Sequence, residues 1–291
     1  MIIDSHTHIA DRFTGFWQPL RYGRVQDGSR IVQAMPPSFD PPASPPELLL
    51  AHMDEAGVDR AFLLQHHLYG DQHETVLRAL RTWPDRFVGF CYLGSFEGLD
   101  LPDRLERRLE QGFFGLKVEL PTTRRLRADF RFDGEREWRV WERLQVLGRP
   151  LALDLCDATP ADVDALRRLM ETFPRLRVLN CHVGWAVGEG WQARALLNGG
   201  RNLWVDVAFL TGLYGPGQEY PYPQAQAVIR WAVETLGADR VMWGSDYPGA
   251  LRAGTYPQTL DYVRRHCDFL SAGQKAQVLG GAALEFLEEM G

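Results

Sequence analysis

Apolar residues along this chain fall into short, near-continuous runs separated by longer amphipathic stretches. The runs are Met1–Ile9, Val58–His66, Arg86–Leu93, Gly115–Leu120, Pro150–Cys156, Arg177–Val183, Asn202–Phe209 and Arg240–Gly244. A strand buried on both faces has no reason to alternate polar and apolar residues. Runs of this kind therefore predict parallel strands covered by helices. The intervening stretches carry helix start signals. Ser44-Pro45-Pro46-Glu47 places a cap, a first-turn proline and an acid ahead of Leu48-Leu49-Leu50, and Thr159-Pro160-Ala161-Asp162 does the same ahead of Val163–Phe173. Ser271–Met290 reads as a closing helix. Strand and helix in eightfold alternation predict an α/β fold, a (β/α)8 TIM barrel. Two insertions interrupt the rhythm, Ala10–Ala43 after the first strand and Thr211–Pro223 after the seventh. Both follow strands, so both are expected on the catalytic face as pocket walls or lids. A disordered proline-rich loop is the plainer alternative for the first.

Length supports this reading. The 291 residues suit one barrel of ~250 residues with additions, so residues 1–291 are read as a single catalytic domain. The net charge of −6 and the absence of a basic stripe argue against nucleic acid and anionic lipid as partners. No apolar run approaches the ~18 residues of a membrane span, and the first residues lack the pattern of a secretion signal. Cys91, Cys156, Cys181 and Cys267 show no paired spacing and read as reduced thiols. A cytoplasmic enzyme acting on a small molecule is expected, with the question of a homo-oligomer left open.

Candidate chemistry gathers at the ends of three runs. His6 and His8 are two apart on the first strand, so their imidazoles project to one side and make a pair of metal ligands. Asp4 precedes them and is expected to fix an imidazole tautomer. The sixth run leads into His182. The eighth leads into Gly244-Ser245-Asp246, where a carboxylate can bind metal and accept a proton from water. Each signal alone has an ordinary structural explanation: a strand-end histidine, or an aspartate capping a loop. Their coincidence at one end of a barrel is far more specific.

In these segments the chain resembles the amidohydrolase superfamily, in particular its amidohydrolase-2 branch of hydrolases and decarboxylases. The resemblance rests on Ile3–His8, Gly112–Val118, Phe173–Gly184, Arg240–Pro248 and Val278–Leu284. It implies that His6, His8 and Asp246 bind one divalent metal, usually zinc. It also implies that Asp246 handles a water proton and that His182 serves as an acid/base or electrophilic group. The fifth strand departs from the family, with Asp154 where a further histidine ligand is usual. As a ligand, Asp154 makes the site more anionic and more tolerant of manganese. Otherwise it is an acid/base or a partner for a cation.

Lys117 lies two residues from Glu119 and is expected to pair with that acid or Asp154, or to bind a substrate carboxylate; a two-metal site is set aside. Arg124, Arg125 and Arg127 follow the fourth strand, and Arg124 is a candidate carboxylate clamp. Trp185 and Tyr247 are candidate substrate contacts. His66, His67, Tyr69 and Tyr214 are further wall candidates, and Phe13, Phe16, Trp17 and Tyr22 add aromatic surface.

The expected activity is hydrolysis of a small lactone, ester or amide through activated water. The alternatives are metal-dependent, non-oxidative decarboxylation of an aromatic or unsaturated acid, and an inactive binding barrel.

Overall fold

The computed structural model describes residues 1–213 and 218–288. In chain order the strands are β1 (Ile3–Thr7), β2 (Trp17–Pro19), β3 (Arg24–Asp27), β4 (Arg30–Gln33), β5 (Arg60–Leu63), β6 (Phe87–Cys91), β7 (Gly115–Glu119), β8 (Leu151–Asp154), β9 (Val178–Asn180), β10 (Leu203–Asp206) and β11 (Val241–Met242). Eight of them form one parallel sheet in the order β1-β5-β6-β7-β8-β9-β10-β11. The ring closes beyond β11, where Ser5 N donates to Trp243 O (3.0 Å) and Asp246 N donates to His6 O (2.8 Å). This is the expected barrel, and its closure brings the end of β1 against the segment carrying Asp246.

The barrel interior explains the apolar runs. Ile3, Phe62, Leu64, Val88, Phe90, Ala152, Leu179 and Met242 pack together inside the ring, and Ala282, Ala283 and Phe286 of the last helix plug its lower end. A fully buried side chain of this kind contributes roughly 1.5–3 kcal/mol. The closing helix is not uniform: it runs Ala272–Ala276, widens into a π turn over Gln277–Gly281, and resumes over Ala282–Leu287. In the wide turn Val278 O accepts a hydrogen bond from Trp243 N (2.7 Å). A Cβ on Gly280 would lie 2.4 Å from Met1 O, so only glycine lets this turn meet the chain start. The expected end of this helix at Met290 lies outside the described residues.

Two local expectations are corrected. Ser44 does not cap the following helix, which spans Pro46–Ala56. Ser44 is instead buried in a bridge to Ala10, with its hydroxyl donating to His8 O (3.3 Å). The first insertion includes an antiparallel sheet, β2-β3-β4, in place of the disordered-loop alternative, and its Trp17 and Ala34 line the cavity at the strand ends. Thr159 does form the expected capping box with Asp162. Among the described residues no helix is long and apolar enough to cross a membrane.

Candidate active site

β1 ends with His6 and His8, both buried. Each imidazole is oriented by a bond on Nδ1. His6 Nδ1 donates to Asp206 Oδ2 (2.9 Å), and His8 Nδ1 donates to Leu64 O (2.7 Å). These bonds on Nδ1 turn each Nε2 into the site, the nitrogen each ring can offer to a metal. Both turn towards Asp246: His8 Nε2 lies 3.0 Å and His6 Nε2 3.6 Å from Asp246 Oδ1. Ligand atoms of His6, His8 and Asp246 all lie within 4.8 Å of one another, so this group can hold one metal ion. Burial, with Lys117 and His182 nearby, outweighs Asp206 and pushes the His6 pKa down to about 4, which keeps the ring neutral. Burial opposes ionisation of Asp246, but His8, His6 and His182 outweigh it and hold that carboxyl below its ordinary range.

His6, Cys181 and Asp206 also converge. There His6 and Asp206 already share a hydrogen bond, and burial keeps the Cys181 thiol protonated, so this trio lacks a free ligand set. Asp206 is the functional residue that sequence reasoning missed. It sits at the end of β10, fully buried, and its other oxygen accepts from His182 N (2.7 Å). A carboxylate inside the run Leu203-Trp204-Val205-Asp206-Val207 was the available signal. Asp4, expected to orient an imidazole, instead binds backbone and phenol: it accepts from His6 N (3.1 Å), Ser245 N (2.8 Å) and Tyr256 OH (2.8 Å).

Asp154 stands apart from the His6–His8–Asp246 group. Its Oδ1 accepts from Trp185 Nε1 and from Cys156 N (3.0 Å), and its Oδ2 lies 3.6 Å from His182 Nε2. His182 Nδ1 donates to Ala208 O (3.0 Å), which directs Nε2 into the site. Burial disfavours a charged His182, but Asp154, Asp206 and Asp246 outweigh it and raise its pKa to about 9. His182, Trp185 and Asp246 all have left-handed backbone, with φ of 57°, 57° and 62°. Such strain at non-glycine residues is typical of sites whose geometry the surrounding fold dictates. Glu119 pairs in register with Asp154 across β7 and β8. Burial and that neighbouring carboxylate push the Glu119 pKa up to about 7.

These groups line a cavity of about 210 Å³ at the strand ends, together with Lys117, His66, Trp17, Tyr69, Phe209 and Arg252. Lys117 donates to Cys181 Sγ (3.0 Å). Burial opposes its charge, while Cys181, Asp154 and Asp206 outweigh burial and raise its pKa.

Two expected substrate contacts lie elsewhere. Arg124 forms a two-pronged ion pair with Asp162 (2.6 and 3.1 Å) and does not line the cavity. Arg125 pairs with Asp27 and Arg127 with Glu137, so the whole arginine cluster serves the fold. Tyr247 is fully buried, with its ring against His52 and Tyr256. The cation at the cavity mouth is Arg252, unmarked by any motif. Tyr214 lies outside the described residues.

Known proteins share the fold and part of the sequence. Over 153 residues the chain is 31% identical to the L-fucono-1,5-lactonase of Burkholderia ambifaria, covering 48% of this chain and 51% of that protein. The chain thus spans about half the length of that curated relative. Two solved structures share the fold. One is the probable 2-pyrone-4,6-dicarboxylic acid hydrolase of Acinetobacter baumannii with citric acid bound (TM-score 0.73, 18% identity, 98% of each chain). The other is an amidohydrolase of Burkholderia multivorans with bound zinc (TM-score 0.72, 16% identity, 99% of each chain). The family profile described as amidohydrolase matches residues 3–288, and the chain belongs to the amidohydrolase family.

Proposed function

We propose that this protein is a metal-dependent hydrolase that opens small lactones, with esters and amides as related substrates. One observation carries the reading. Two imidazoles and a carboxylate converge at the end of β1, His8 and Asp246 line the cavity, and His182, whose pKa is raised, lies beside them. A divalent cation held by His6, His8 and Asp246, zinc first and manganese second, supplies Lewis acidity toward water and a carbonyl group.

The chain's own residues supply the rest. Asp246 accepts the proton that water gives up as it attacks the lactone carbonyl, and returns it to the ring oxygen as the acyl–oxygen bond breaks, which leaves a hydroxy acid. His182 Nε2–H donates to the carbonyl oxygen as that atom gains negative charge, the point at which a preorganised donor has most effect. Asp154 holds the His182 charge, and Trp185 fixes Asp154. Trp17, Trp185 and Phe209 give the walls a flat apolar surface, while Lys117 and Arg252 provide positive charge for a substrate hydroxyl or carboxylate. The volume of about 210 Å³ falls below the roughly 300–1,000 Å³ of drug-sized sites, which selects a single small ring. The local match to a lactonase supports the same class.

The test is incubation with γ- and δ-lactones in ¹⁸O-labelled water. One labelled oxygen in the product carboxylate, and loss of turnover in Asp246→Asn, support the proposal. Release of carbon dioxide from an unsaturated acid, with solvent deuterium placed on carbon, would replace it with the decarboxylase reading. Neither turnover nor ligand binding would leave an inactive barrel.

A further inference from the structure

A second cavity, about 610 Å³ in volume, opens beside the end of β6, between the helices His73–Thr82 and Leu101–Glu110. It is separate from the catalytic cavity, although one peptide bond links their walls: His66 lines the first and His67 the second. The Leu101–Glu110 helix contributes Arg104, Arg107 and Arg108 to this second cavity. Spacings of three and four residues put these like charges on one helix face, where they repel.

Their internal compensation is thin. Arg104 donates to the carbonyls of Leu93 (2.7 Å) and Glu97 (2.9 Å), Arg107 lies 3.5 Å from Asp100, and Arg108 donates to the neutral Gln111 side chain (3.2 Å). Among the described residues, only Arg107 of the three has a carboxylate within ion-pair distance. His73 also lines the cavity and is 3% exposed. Its Nδ1 is committed to Asp71 (2.6 Å), and its Nε2 is buried without a hydrogen-bond partner. A buried polar nitrogen without a partner is costly and rare. Asp71 is the single acid in the lining, so three guanidinium groups leave the cavity positive within a chain of net charge −6.

We propose that this cavity is a binding site for a small oxyanion group, a phosphate or a carboxylate. Arg107 and Arg108 would supply charge-assisted donors. The site is independent of the catalytic reading, since none of these residues belongs to the catalytic cavity.

The experiment is calorimetric titration of the full-length protein at low ionic strength, with inorganic phosphate in one arm and malonate in the other. It is repeated on the double variant Arg107→Gln/Arg108→Gln, on His73→Gln and on Asp246→Asn. Arg107 is exposed and Arg108 half-buried, and thermal melts establish whether the double variant is folded. Saturable binding of at least one anion is expected. Affinity should fall about tenfold or more in the double variant, the loss expected of one charge-assisted hydrogen bond. Little change is expected in His73→Gln and none in Asp246→Asn. The anion bound more tightly identifies the ligand class. Affinity unchanged in the double variant, loss confined to Asp246→Asn, or no saturable heat with either anion at millimolar concentration would each overturn the proposal.

Discussion

His6 Nδ1 and Asp206 Oδ2 lie 2.9 Å apart, although 200 residues separate them in the chain. The same carboxylate holds the backbone of His182 through its other oxygen (2.7 Å). One buried acid at the end of β10 therefore orients a metal-ligand candidate and fixes the loop that carries the cationic histidine.

Asp206→Asn keeps the volume but weakens both contacts. Metal affinity is expected to fall by about 10–100-fold, the usual cost of losing a group that orients a ligand. Competition against a chelator of known affinity measures it. Unchanged affinity in a folded variant would mean that Asp206 only supports the fold.

His182→Gln removes the cationic donor while leaving the metal-ligand candidates in place. A loss of about 10²–10³-fold in kcat, with KM little altered, is expected if the group acts mainly on developing charge. A rise in KM at constant kcat would instead make His182 a ground-state binding residue.

Phe286→Ala should destabilise the barrel by about 3–5 kcal/mol, because Phe286 fills the lower end of the ring against Phe62 and Trp204. Denaturant unfolding measures the loss. Metal binding by the folded fraction is expected to persist, since this plug lies at the end opposite the strand termini that carry His8 and Asp246.

Acid sensitivity should arise partly at His67. Burial, with His73 adding to it and Asp71 opposing, pushes its pKa down to about 4 in the fold. The unfolded chain, with a histidine pKa near ~6.5, then binds more protons than the native state between those values. The contribution is fully present above that unfolded value and is lost as pH falls towards 4, on the order of 2–3 kcal/mol. Urea unfolding at pH 7 and pH 5 should show a smaller drop in His67→Gln than in the parent. An equal drop would place the acid sensitivity elsewhere.

How far the chain declares this architecture depends on the kind of signal. The eight strands are visible because burial on both faces suppresses alternation, and runs such as Arg177–Val183 have no other simple explanation. His6, His8, His182 and Asp246 are visible because each ends such a run. Arg124 misleads because its partner Asp162 is 38 residues away, and no local pattern shows that its charge is already satisfied. Asp154 sits at a metal-ligand position in the strand, yet Trp185 and His182 claim its oxygens. Asp206 carries no motif at all; its partner lies on β1, and only closure of the ring unites them. The sheet β2-β3-β4 did leave a trace, the two-residue hairpin loop Gly28-Ser29 with Gly28 at φ 60°, which the surrounding prolines obscured.

The central claim is that His6, His8 and Asp246 hold one catalytic divalent cation. Metal content by plasma mass spectrometry, on protein purified without added metal or a histidine tag, tests it most directly. Near-stoichiometric zinc or manganese in the parent, lost in His6→Ala, is the expected result. Parent protein that stays empty even after incubation with zinc and manganese would contradict the claim and leave His182, Asp154 and Asp246 as a metal-free acid/base set.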